Sequence, residues 1–167
     1  AFSYFYAHAD ITLIETGMGG RYDTTNSLHP ILSIITNVEK DHTTFLGKKI
    51  STIAHHKAGI IKKATPVIIG SVNEEAWITI QREANMLQAP TYRSGEDFRF
   101  EVLTNRSKTQ SFLWEYQLDQ KKVTIKMIGE HQVHNASLAL MALTILQKKG
   151  YKVQWDLAIN GFETTSV

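Results

Sequence analysis

The sequence predicts an α/β fold: a mostly parallel sheet flanked by helices, with an antiparallel hairpin insertion. Three observations predict it. Short runs of branched apolar residues recur in the first half of the chain, as buried parallel strands do. Segments with helix start and stop signals alternate with them. From Phe98 to Ile128 the pattern changes to apolar/polar alternation, as in antiparallel hairpins with one wet face.

The elements follow in order. Ile11–Glu15 ("ITLIE") reads as a buried parallel strand bounded by a glycine loop. Ile31–Asn37 ("ILSIITN") reads likewise, directly after Pro30. Ser51–Ala58 reads as a helix with its start signal at Ser51 and its end near Gly59. Pro66–Gly70 ("PVIIG") is a third buried strand. Asn73–Gln88 reads as a helix capped by Asn73, with Ile80, Ala84 and Leu87 on its apolar face and Pro90 ending it. Phe98–Leu103, Ser111–Leu118 and Lys121–Ile128 alternate, with "TNRSKT" and "DQKK" as turns. His131–Lys149 is a long Ala/Leu-rich helix stopped by Gly150.

Composition narrows the class. The chain has 167 residues, 43% hydrophobic and 20% charged, which suits one domain with a sizeable core. Such a length buries roughly 70% of its unfolded surface. A net charge of +2, without a dense basic run, argues against a nucleic-acid partner. Cysteine is absent, which excludes disulfides and cysteine-based zinc sites and fits a reducing compartment, the cytoplasm. No apolar run approaches the roughly 18 residues of a membrane span. The start "AFSYFYAHAD" has no basic n-region, lacks an initiator Met and reads like the tail of an amphipathic helix. A piece of a longer protein is the expectation.

Four stretches carry candidate chemistry. In "ETGMGGRYDTTN", Glu15 closes an apolar run where ligands gather in open α/β sheets, and a carboxylate suits a hard cation such as Mg²⁺. Taken alone it reads first as a cap for nearby N–H groups. Gly17, Gly19 and Gly20 let another molecule approach the backbone closely. The loop matches neither G-x-G-x-x-G nor G-x-x-x-x-G-K-[ST]. In "ITNVEKDHTTFLG", His42 follows the second strand and could ligate a metal or transfer a proton, with Asp41 orienting it; a plain loop histidine is the other reading.

In "IAHHKAGIIKK", Lys57 falls near a helix C-terminus, where the dipole already favours a solvated lysine. His55 and His56 are adjacent on a helix, so they do not share a face and cannot easily clamp one metal. In "GEHQVHNASLALMAL", Gln132 and Asn135 are about one turn apart and share a face. A side-chain amide there could read an adenine edge, offering donor and acceptor together, or could simply cap the helix.

Taken together and in this order, "ETGMGGRYDTTN", "ITNVEKDHTTFLG", "HHKAGIIK" and "GEHQVHNA" closely resemble the folylpolyglutamate synthase/dihydrofolate synthase family of the Mur ligase superfamily. The resemblance covers nearly the whole chain and corresponds to the central, ATPase-like domain. It implies a single domain over residues 1–167, with a phosphate-binding loop upstream and a C-terminal domain both outside the chain. It implies that Glu15 and His42 bind Mg²⁺ and that Tyr22, Asp23 and Thr24 line the dihydropteroate site. It further implies that Lys57 becomes N6-carboxylated and that Asn135 lies near the adenine of ATP. The implied activity is ATP-dependent addition of L-glutamate to folate or dihydropteroate through an acyl phosphate. No G-x-x-x-x-G-K-[ST] occurs anywhere in the chain, so the chain alone is expected not to ligate. A peptidoglycan-type Mur ligase and a non-catalytic nucleotide-binding module are the competing readings.

Overall fold

The computed structural model describes residues 9–39, 49–106 and 108–165. Three strands form a parallel sheet in the order β1 (Ser33–Asn37), β2 (Val67–Ser71), β3 (Thr91–Arg93). Helix α1 (Ile50–Ala58) lies between β1 and β2 in the chain, and α2 (Glu74–Met86) between β2 and β3. A second sheet, antiparallel, has the order β4 (Phe98–Asn105), β5 (Gln110–Tyr116), β6 (Asp119–Ile125). Helices α3 (Glu130–Lys148) and α4 (Trp155–Thr164) follow.

Strand β2 organises the layers. Val67 and Ile69 point into a core with Ile35, Ile53, Ala54, Ala76, Ile80 and Ala84, between the parallel sheet and α1 with α2. Ile68 points the other way, into a core with Phe98, Phe112, Trp114, Val133, Leu140 and Met141, where α3 meets the antiparallel sheet. All three β2 side chains are fully buried, which explains a run with no polar residue. Each such burial stabilises by about 1.5–3 kcal/mol relative to exposure.

The helix ends show which local signals govern. Asn73 accepts the Ala76 N–H at 2.9 Å and caps α2 as expected. Ser51 does not start α1; the helix begins at Ile50 after Lys49, which makes no side-chain cap, and the Ser51 N–H donates instead to Glu75 Oε1 of α2 at 3.1 Å. Gly150, at φ 92°, ends α3 with Tyr151 N–H on Leu146 O (3.1 Å) and Gly150 N–H on Gln147 O (2.9 Å). Helix α2 ends the same way, with Gln88 at φ 52° and Ala89 N–H on Ala84 O at 2.9 Å. A left-handed glutamine, not Pro90, therefore stops α2, two residues before the expected end.

Three elements differ from expectation. Ile11–Glu15 forms no strand, and Leu13 is 92% exposed. A branched apolar run supplies strand preference, but a ladder needs a neighbour, and the described residues offer this segment none. Strand β3 has only three residues, too few to show a period, and follows Pro90 directly. Helix α4 buries no residue fully; Trp155, Ile159 and Phe162 only lean on the core, and Lys121 Nζ sits 4.2 Å from the Trp155 ring centre. Among the described residues no helix is long and apolar enough to cross a membrane.

Gly70 sets the distance between α3 and the parallel sheet. A Cβ there would run into the Thr36 carbonyl and come within 2.8 Å of His134 Cε1. Gly70→Ala is therefore expected to cost on the order of 3 kcal/mol, the upper range of overpacking. Thermal or denaturant unfolding checks this; unchanged stability would refute the close approach.

Candidate functional site

The glycine loop is seated on the last turn of α1. A helix leaves its final carbonyls without intrahelical partners. Here Arg21 takes two of them: its N–H donates to His56 O at 2.8 Å and its Nε to His55 O at 3.2 Å. The guanidinium then pairs with Glu83 of α2, Nη2 to Oε1 at 2.8 Å. Gly59 lies directly under the Arg21 side chain, leaving no room for a Cβ. Gly20, at φ 134°, brings its backbone against the same turn; a Cβ there would be 2.7 Å from Ile60 Cγ2 and 3.1 Å from His56 O. Further along, Lys62 Nζ donates to Asn26 O and Oδ1, both at 2.8 Å. Asn26 Nδ2 in turn donates to Arg21 O at 2.9 Å.

Asp23 ties the loop to itself. Its Oδ2 accepts the Met18 N–H at 3.0 Å, and its Oδ1 accepts Thr25 N–H at 2.9 Å and Thr25 Oγ1–H at 2.6 Å. The turn Thr24–Ser27 is a short 3-10 segment capped by this carboxylate. The Thr25 hydroxyl, then the Met18 and Thr25 amides, hold the Asp23 carboxyl down at about 2. Both oxygens thus serve the loop's own shape.

The remaining site residues divide into two places. Lys57 is half-buried in the last turn of α1, with its carbonyl 3.3 Å from where a Gly20 Cβ would stand. Tyr22 is 82% exposed and meets the His56 ring edge-on at 5.6 Å between centres. Thr24 is exposed beside it. The structure so brings Tyr22, Asp23 and Thr24 together with the turn that carries Lys57. Glu15 is exposed in the unpaired segment that leads into the loop, not at the end of a strand. His42 and Asp41 lie outside the described residues. Among the described residues no three His, Asp or Glu side chains gather as a metal site.

The second place is the head of α3, above the carboxyl ends of β1 and β2. His134 is half-buried there, beside Gly70 and edge-on to Phe100 at 5.8 Å. Burial lowers its pKa from the ordinary value, favouring the neutral ring. On the same helix Asn135 is exposed and Gln132 partly so, leaving their amides open to a ligand. Sequence reasoning passed over Arg21, whose carbonyl partners lie 34 or more residues away and leave no local signal.

The model of the Mur ligase middle domain matches residues 2–143. The chain belongs to the Mur ligase middle domain family. A dihydrofolate synthase/folylpolyglutamate synthase of Bacillus subtilis is 34% identical over 165 residues, 89% of this chain and 35% of that protein. The apo form of L. casei FPGS superposes with a TM-score of 0.92 at 27% identity, covering 98% of this chain and 41% of that one. An FPGS–AMPPCP–folate complex gives a TM-score of 0.91 with the same identity and coverage. The chain thus spans between about a sixth and somewhat over a third of the length of the curated relatives it matches, from 16% to 37%.

The Asp23 geometry makes a pH prediction. Folding depresses this carboxyl from 3.8 to about 2, so the ionised form favours the ordered loop. That contribution is complete above the ordinary value and is lost as pH falls through about 2. A carboxyl-carbon NMR titration should place the Asp23 midpoint near 2; a midpoint at the ordinary 3.8 would show the three donors are not engaged.

Proposed function

We propose that this chain is the middle domain of an ATP-dependent ligase that joins L-glutamate to folate or dihydropteroate. The observation that supports this reading most is the glycine loop seated on the Lys57 turn. It sets an exposed ring, Tyr22, against His56, the chain neighbour of the half-buried Lys57, with Thr24 exposed on the same loop. The relatives named for folate ligation, one of them solved with AMPPCP and folate, share both sequence and fold with this chain.

Each residue has a chemical part. Tyr22 offers a flat face for the pterin ring and Thr24 a hydroxyl for its polar edge, on a loop that Asp23 keeps in shape. Asn135, with Gln132 one turn before it, reads the adenine through paired donor and acceptor. In the reaction, the γ-phosphoryl group of ATP moves to an oxygen of the substrate carboxylate, giving an acyl phosphate and ADP. The neutral amine of L-glutamate then attacks the acyl carbon, phosphate departs, and the amine loses a proton as the amide forms.

The magnesium assignment follows the resemblance to the folate ligases, and the loop leaves one carboxylate free for it. Asp23 has both oxygens engaged within the loop, whereas Glu15 is exposed just ahead of it. Glu15 and His42 would hold Mg²⁺, and a carboxylated Lys57 would add a further oxygen donor. The ion, when bound, neutralises charge on the transferring phosphoryl group. Carboxylation joins the neutral Lys57 Nζ to CO₂; one proton leaves as the ammonium gives the amine and a second as the carbamate forms, so a cation becomes an anion. The phosphate cradle and the glutamate site would come from the parts of the protein outside residues 1–167.

The full-length protein should release ADP in a glutamate-dependent manner with folate or dihydropteroate, and not with UDP-muramoyl peptides. Turnover with the muramoyl peptides alone, or with none of these substrates, would overturn the proposal. Glu15→Gln or His42→Ala should each lower turnover about a hundredfold or more. Lys57→Ala should be partly rescued by a short carboxylic acid, and the isolated chain should add no glutamate.

A further inference from the structure

We infer that Gln110 is a positioning residue for the nucleotide-reading face of α3, a role that rests on the adenine reading of Asn135 above. Gln110 opens β5 and is only 1% exposed, a rare place for a side-chain amide. Its Nε2 donates to Met127 O at 2.8 Å and to Gly129 O at 3.0 Å. Both carbonyls belong to the connection that carries the chain from β6 into α3. Gly129 is the residue at the start of α3, and that start has no side-chain cap. Its carbonyl also accepts the Gln132 N–H at 3.0 Å, the bond that begins the helix.

One buried amide thus grips the turn at two points and fixes where α3 starts. Gly129 stands in a conformation that other residues rarely adopt. Its φ is 110°, and the His131 ring stands where a Cβ would be. The residues it sets in place are those nearest the helix start, Gln132 and Asn135. Successive helix residues are about 100° apart, so starting α3 one residue early or late turns Asn135 off its face. Without the Gln110 donors, Met127 O and Gly129 O would each lose a partner they have now, and the turn would no longer be held at two points.

The test uses the full-length protein and the variant Gln110→Met, close in volume but without N–H donors. ATP KM should rise about tenfold, equivalent to about 1.4 kcal/mol, while KM for folate and glutamate holds within about twofold and kcat within about threefold. An unchanged ATP KM in a folded variant overturns the inference. So does a fall in kcat with every KM unchanged, since that reports lost active protein only. If Gln110→Met does not fold, Gln110→Asn keeps the amide but withdraws it by one methylene, and the same ATP-selective rise is expected; its absence overturns the inference. Asn135→Ala separates the two layers. If it leaves ATP KM unaltered, the adenine reading fails and the inference with it. If it raises ATP KM while the Gln110 variants do not, only the positioning role fails.

Discussion

The site depends on Arg21 grasping the terminal carbonyls of α1. Three glycines within four positions give a loop no shape of its own, because each adds backbone freedom that folding must remove. Helix α1 has the opposite problem, a last turn with more acceptors than the following backbone fills: Gly59 N–H reaches His56 O at 3.2 Å, which leaves the His55 carbonyl open. Arg21 answers both at once: its guanidinium fills the His55 carbonyl and its amide adds a second donor to that of His56. Glu83 then offsets the guanidinium charge from the neighbouring helix, which makes the loop, α1 and α2 one unit. Asp23 and Lys62 complete the hold from within the loop and from beyond it.

The head of α3 is built on a different constraint, the missing side chain at Gly70. Without a Cβ there, the α3 ring His134 can rest on the end of β2. That contact brings the helix head over the carboxyl edge of the parallel sheet, where open α/β sheets bind ligands. The desolvation that holds His134 neutral follows from the same closeness. A protonated imidazole in that position would have to shed hydration against Phe100 and backbone.

How much was legible in the sequence follows from the range of each interaction. Asn73 capping α2 and Gly150 closing α3 act over three to five residues, and both were readable. The glutamine that ends α2 was not, because Gln88 adopts a conformation that composition associates with glycine. Ile11–Glu15 shows the opposite failure: its apolar run was plain, but pairing is decided by a neighbour and not by the run. In the site, Tyr22, Asp23 and Lys57 were nameable from motifs, and the fold brings their segments together. The reason they meet, Arg21 on His55 and His56 carbonyls, spans 34 and 35 residues and carries no pattern.

The electrostatics of the α1 end bear on when Lys57 could be modified. A helix C-terminus favours cations by about 0.3–1 kcal/mol and disfavours anions comparably. His55, His56 and Lys57 occupy that last turn, all of the type the dipole prefers. Turning Lys57 into a carbamate puts an anion against the same carbonyl ends. Arg21 offsets little of this, because Glu83 already shares its charge; Lys62 is held by Asn26. Under the proposed assignment, a divalent ion bound by the carbamate would supply the missing positive charge. In the proposed role, then, carboxylation and magnesium binding are linked: each lowers the cost of the other, and neither is expected to be complete alone.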